Sequence, residues 1–153
     1  MNRGALAMIV TTALCAAACA TPDADRVRAT ADAIVAADNA RDLDRVLDCY
    51  AAGAILLPPD SAPVVGKDAI RPRYESLFDG FDPAIEPRID ELRVDGDRAF
   101  VRGRNGGVLH ARGAGTDRVL DDVYLMLLAR EADGSWRITH LMWHRAAAAT
   151  TER

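Results

Sequence analysis

Three histidines, a pair of acids two residues ahead of a tyrosine, and an acid behind two prolines are the side chains here best equipped to move protons or grip a ligand. His140 and His144 are four apart, a spacing that on a helix would suit two ligands of one metal ion. Their segment, "SWRITHLMWHR", alternates like a strand instead. There the two imidazoles would share a face about 13 Å apart, too far for a single ion. His110 adds a third imidazole, but no HxH or HExxH pattern is present, so no metal is assigned. The alternation puts Trp136, Ile138, His140, Met142 and His144 on one face and Arg137, Thr139, Leu141 and Trp143 on the other. If the first set faces a cavity, His140 is the leading titratable group in it. A core histidine held by one hydrogen bond is the competing reading, and both stand at this stage.

Around that histidine a second tier of residues can be assembled. In "DDVYLMLLA", Asp122 and Tyr124 fall on one strand face and can line a pocket as a pair, or Asp121 and Asp122 can form a solvated turn. Tyr50 and Tyr74 can point hydroxyls inward from helical segments, or serve as core residues with polar tips. Arg102 and Arg104 share a strand face that would suit a carboxylate, and equally suits water. His110, Met142 and His144 complete the expected pocket lining. Asp60, after Pro58 and Pro59, is either a base at a pocket mouth or, the preferred reading, a solvated loop acid. Cys49 lies beside an apolar helical face and reads as a buried, inert thiol. No phosphate loop, dinucleotide fingerprint, Ser-His-Asp signature or cysteine zinc pattern occurs, so cofactor-free behaviour is expected.

The elements that must position these groups segregate, helices first and strands later, which predicts an α+β domain. "TPDADRVRATADAIVAADNA" offers Thr21 as N-cap, Pro22 at the first helical position, and a stripe of Val27, Ala31, Ile34 and Val35. A second helix, "DLDRVLDCYA", places Leu43, Val46, Leu47 and Tyr50 on one face. After the strand "AILLP" and a loop, "DAIRPRYESLF" gives a third, with Pro72 predicting a kink or a late start. Four strands follow: "AIEPRIDELRV", "RAFVRGRNGGVLHA", "VLDDVYLMLLARE" and "SWRITHLMWHR". Asp95-Gly96 and Asp133-Gly134 mark hairpins, and Asn105-Gly106-Gly107 marks a bend.

Composition supports one domain of 153 residues, and 27% charged residues exclude a polytopic membrane protein. The formal charge of −4, with no basic run, excludes nucleic acid as an expected partner. "MNRGALAMIVTTALCAAACATPD" reads as a secretory signal, with an uncleaved anchor as the alternative. Its Ala16-Ala17-Ala18-Cys19 step resembles a bacterial lipobox. Cleavage there would leave an acylated Cys19, a membrane-anchored lipoprotein of the cell envelope facing the periplasm. The expected layout is a signal peptide over 1–18, a tether over 19–26, the domain over 27–146 and a tail over 147–153.

The order of elements resembles the SnoaL-like, ketosteroid-isomerase-like superfamily that also contains nuclear transport factor 2. "NARDLDRVLDCYAAGAILLPPD", "VGKDAI" before a helix, and the Asp-Gly turn leading into Trp136, Arg137 and Ile138 carry the resemblance, over Val27 to Arg145. It implies a curved antiparallel sheet wrapped against two to three N-terminal helices, enclosing a cone-shaped pocket. Members act as isomerases, cyclases, dehydratases or hydrolases, or only bind and oligomerise. In ketosteroid isomerases the base falls just before the proline of a "YADDATVEDP"-like segment, which places Pro58 there. The oxyanion tyrosine maps to Ile34. Neither can transfer a proton, so that mechanism is excluded in this register. Three readings follow. The domain binds a small, partly apolar ligand; or it is a cofactor-free isomerase, cyclase or dehydratase using His140 with Tyr50, Asp60 or Tyr124; or it is a structural homodimer pairing through outward Leu125, Leu127, Leu141 and Trp143.

Overall fold

The computed structural model describes residues 22–59 and 61–146. The signal segment, Cys19, the Thr21 cap, Asp60 and the tail lie outside the described residues. Helix α1 spans Pro22–Ala40 and buries Val27, Ala31, Ile34, Val35 and Ala37, the anticipated stripe extended by one residue. It ends at Arg41, whose φ of 54° turns the chain into α2, Leu43–Asp48. Asp42 caps α2 by accepting a hydrogen bond from the Arg45 N–H at 3.1 Å. Tyr50, expected on this helix, begins strand β1 (Tyr50–Leu57) and is 1% exposed.

After the short strand β2 (Val64–Val65), Gly66 at φ 85° opens α3, Lys67–Gly80, which runs through Pro72 and buries Ile70, Tyr74 and Phe78. The meander follows as β3 (Phe81–Asp95), β4 (Arg98–Ala111), the short β5 (Arg118–Val119), β6 (Asp122–Arg130) and β7 (Trp136–Arg145). The strands form one curved sheet in the order β2-β1-β7-β6-β4-β3, with β5 attached to β4. Its pairs are antiparallel apart from β1 and β7, which run parallel, so the sheet is mixed. Beyond Asn105, β4 parts from β6 and pairs with β3 and β5, at the glycine bend expected from the sequence. There Gly107 has φ 96°, and a Cβ would sit 2.1 Å from the Ala84 carbonyl oxygen, so only glycine fits.

One face of the sheet is covered by the helices. Thr30 Oγ1 donates to the Trp136 carbonyl at 3.1 Å, tying α1 to β7. Farther along, Asn39 donates to the Ile85 carbonyl at 2.9 Å and accepts from the Ile85 N–H at 2.7 Å, clamping the end of α1 to β3. The core lies between these layers, from Ile34, Val46 and Tyr50 to Val101, Met126, Leu128 and Ile138.

A bulge decides what each face of β7 carries. Leu128 pairs with Ile138, but Leu127 pairs with His140, leaving Thr139 as an extra residue. Alternation resumes with reversed parity. Leu141 and Trp143 therefore sit opposite the buried Met126 and Tyr124 and pack on the core. His140, Met142 and His144 fall on the opposite face, across from Leu127, Leu125 and Val123. This corrects the single face expected to run from Trp136 to His144, and it turns Leu141 and Trp143 inward.

Candidate functional site

The helix-covered face holds a polar cluster within apolar surroundings. Tyr50, at the start of β1, and Tyr74, two turns into α3, meet hydroxyl to hydroxyl at 2.8 Å. Their ring centroids are 6.3 Å apart, and Phe78 continues the aromatic run 5.9 Å beyond Tyr74. Burial raises both phenols well above their usual range. Each therefore stays protonated, and the pair can pass one hydroxyl proton onward as a donor.

Asp38 completes the cluster. It sits four residues after Ile34 on the inward stripe of α1, close enough for its charge to act on Cys49, Tyr50 and Tyr74. Its Oδ1 is sealed from solvent and has no hydrogen-bond partner among the described residues. With nothing to stabilise the ionised form, burial pushes its pKa from 3.8 to about 8. The neighbouring arginine is engaged elsewhere: Arg41 donates to the Phe78 carbonyl at 2.9 Å and pairs with Asp82 at 3.2 Å. At neutral pH Asp38 is thus largely a neutral carboxylic acid, able to donate or accept.

Toward the far end of the same face lie Asn105, Asp122 and Tyr124. Asn105 pairs with Asp122 across the β4–β6 ladder, and its Oδ1 is a second buried acceptor without a described partner. Asp122 is half-buried, and burial raises its pKa against the pull of Arg145. Tyr124 is 5% exposed and pushed up to about 12 by burial. Its ring lies on Gly103, where a Cβ would be 2.5 Å from the hydroxyl. Tyr50, Tyr74, Asp122 and Tyr124 therefore share the inward face.

The remaining expected residues lie elsewhere. His140 is part-buried on the outward face, and its ring is hydrogen-bonded among the described residues to Thr139 Oγ1, at 3.2 Å. The His144 ring bonds the Arg145 carbonyl, and Met142 is 44% exposed. Arg102 is outward too, paired with Asp90 at 3.5 Å and Glu91 at 3.4 Å. His110 is exposed and bonded to Asp117 at 2.9 Å, which pins the loop after β4. Cys49 is buried and free, its thiol raised by burial to about 11. Among the described residues no group of three or more His, Cys, Asp or Glu is placed to hold a metal.

Pro58 and Ile34, which the resemblance leads one to expect at the isomerases' proton-handling positions, are both buried. Asp38 was missed because it lies among the apolar residues of the last turn of α1, where an acid gains nothing from the helix dipole and reads as a surface residue. The available signal was its spacing, four after Ile34 and three after Val35.

This arrangement of helices around a curved sheet is that of a cone-type ligand or enzyme domain. The model of the SnoaL-like domain matches residues 27–140, and the chain belongs to that family. Among solved structures it is similar to a ketosteroid isomerase-like protein from Erwinia carotovora atroseptica, with 26% identity and a TM-score of 0.77, covering 84% of this chain and 99% of that one. A proposed dehydratase of the nuclear transport factor 2-like family from Streptomyces avermitilis matches at 15% identity and a TM-score of 0.73, covering 85% and 100%. A nuclear transport factor 2-like protein of unknown function from Pseudomonas putida matches at 18% and 0.66, covering 86% and 92%. No curated protein matches the chain.

Proposed function

We propose that this SnoaL-like domain binds a small, partly apolar molecule against its helix-covered face, and that Asp38 with the Tyr50–Tyr74 pair is the polar contact that orients it. The carrying observation is the buried Asp38 oxygen without a partner, beside two phenols 2.8 Å apart in an otherwise apolar core. A buried polar atom left unpaired costs about 1–3 kcal/mol, a cost that a ligand hydrogen bond would offset. Proton transfer by the ketosteroid isomerase arrangement is not part of this reading, since Pro58 and Ile34 carry no transferable proton.

The test is a thermal-shift panel of sterols, phenolic polyketide-type compounds and apolar carboxylates, run on the wild type and on Asp38→Asn. We expect at least one compound to raise the wild-type Tm by several degrees and to lose much of that effect in the variant. No shift with any compound would remove the binding reading.

A second reading, a cofactor-free acid–base enzyme, is favoured by the pKa of Asp38 near 8, suited to exchanging protons at neutral pH. It moves the acid–base role from His140 to Asp38. Deuterium uptake by a bound compound in wild type but not in Asp38→Asn would distinguish turnover from capture.

We further propose export and anchoring through an acylated Cys19. No helix among the described residues is long and apolar enough to cross a membrane. Cys19→Ala should move the protein from the membrane to the soluble fraction, and unchanged fractionation would reject the anchor.

A further inference from the structure

A groove on the other side of α1 has chemistry of its own. Two contiguous cavities, of about 470 and 320 Å³, share Ala29, Thr30, Trp136 and Arg137. The larger adds Arg26 and the turn Asp133–Ser135; the smaller adds Ala33 and, from α2 and its end, Arg45, Asp48 and Cys49. Between the charged groups the lining is made by alanines, Cys49 and Trp136.

Three guanidiniums and two carboxylates line this space. Arg26 leans 3.9 Å toward Asp23, which already pairs with Arg130, and Asp133 accepts two hydrogen bonds from Ser135. Arg45 and Arg137 have no carboxylate partner among the described residues, although Arg137 donates to the Asp48 carbonyl. Arg45, Asp48, Cys49 and Arg137 line the smaller cavity together, so these charges converge on one place. The surplus is one positive charge. Trp136 adds a second, independent sign: it is 3% exposed, and its Nε1 donor is buried without an acceptor among the described residues.

We propose that this groove binds a small organic monoanion, a carboxylate with a short apolar or aromatic body. Arg45 and Arg137 hold the carboxylate, and the body lies over Ala29, Ala33 and the Trp136 ring. A single surplus charge suits one carboxylate and disfavours a phosphate dianion, which Asp48 would repel. Planar guanidiniums match carboxylate oxygens in paired hydrogen bonds.

The test titrates the full domain with benzoate, neutral benzamide and inorganic phosphate, followed by amide chemical shifts at low salt. We expect saturable shifts around Thr30 and Arg137 with benzoate, and weaker binding of benzamide and phosphate. Arg45→Gln, on an exposed helix surface, should weaken benzoate about five- to tenfold, the loss of one charged hydrogen-bonding partner. Asp48→Asn should tighten it about threefold, a gain that a merely structural role would not produce. Asp38→Asn should leave it unchanged, which separates this groove from the cone. Equal responses to benzoate and benzamide, tighter phosphate, or insensitivity to both Arg45→Gln and Asp48→Asn would overturn the proposal. Sensitivity to Asp38→Asn alone would transfer the ligand to the cone and also overturn it.

Discussion

The inward and outward faces of this sheet are made from the same strands, yet they carry opposite kinds of polar group. Inward, Asp38, Tyr50, Tyr74, Asn105 and Tyr124 are few, the tyrosines buried and the other two half-buried, and two of their oxygens lack partners among the described residues. Outward, Arg88, Asp90, Glu91, Arg93, Arg102 and Arg104 form an ion-paired ladder beside an apolar patch that includes Leu127 and Met142. The lesson concerns solvent. Exposed charges satisfy one another and water at little net gain, whereas an unpaired inward oxygen costs stability and so marks a place for something else to bind.

Where the inward face is packed most tightly, the largest effect is expected. Gly103→Ala would put a methyl 2.3 Å from the Arg88 carbonyl oxygen and 2.5 Å from the Tyr124 hydroxyl. A loss of about 3 kcal/mol or more in urea unfolding should follow. A near-neutral result would mean that Tyr124 does not lie on this strand.

Asp38 should show in the pH dependence of stability. Its folded pKa, about 8, lies above the ordinary 3.8, so the native state keeps a proton that the unfolded chain releases. Its contribution is therefore fully present below about pH 4 and is lost as pH rises to 8. Relative to wild type, Asp38→Asn should gain stability over that window, up to about 5 kcal/mol at pH 8, and level off above it. Parallel stability curves for the two proteins would show that Asp38 is solvated.

The smallest effect on the fold, and the clearest on assembly, is expected outward. Leu127 and Met142 are 39% and 44% exposed, and we expect two copies to pair through this face. Leu127→Lys should change monomer stability by less than about 0.5 kcal/mol while dissociating the pair in sedimentation. A wild-type monomer at high concentration would end the dimer reading.

Much of this contrast was legible in the residues. The stripe of α1, the limits of β4, the hairpin turns and the shared strand face of Asp122 and Tyr124 follow from spacing, because a covered face enforces period. Thr139 was not legible. A bulge without glycine leaves no mark in composition, yet one extra residue moved His140, Met142 and His144 outward and brought Leu141 and Trp143 inward. Partner registers alone reveal it. Tyr50 was assigned to a helix because its spacing from Val46 and Leu47 fits one, but Cys49 ends that helix. Both assignments bury Tyr50, so its inward position does not depend on which element carries it.

The parallel pairing of Tyr50 with Ile138 and of Leu56 with Leu141 joins β1 to β7, the first and last of the described strands. On the ribosome, β1 has no neighbour on that side until β7 emerges, so closure of the sheet there waits for that strand. Loss of β7 would expose an apolar edge next to Leu56, and a truncated product of this gene should aggregate rather than accumulate as a smaller folded unit.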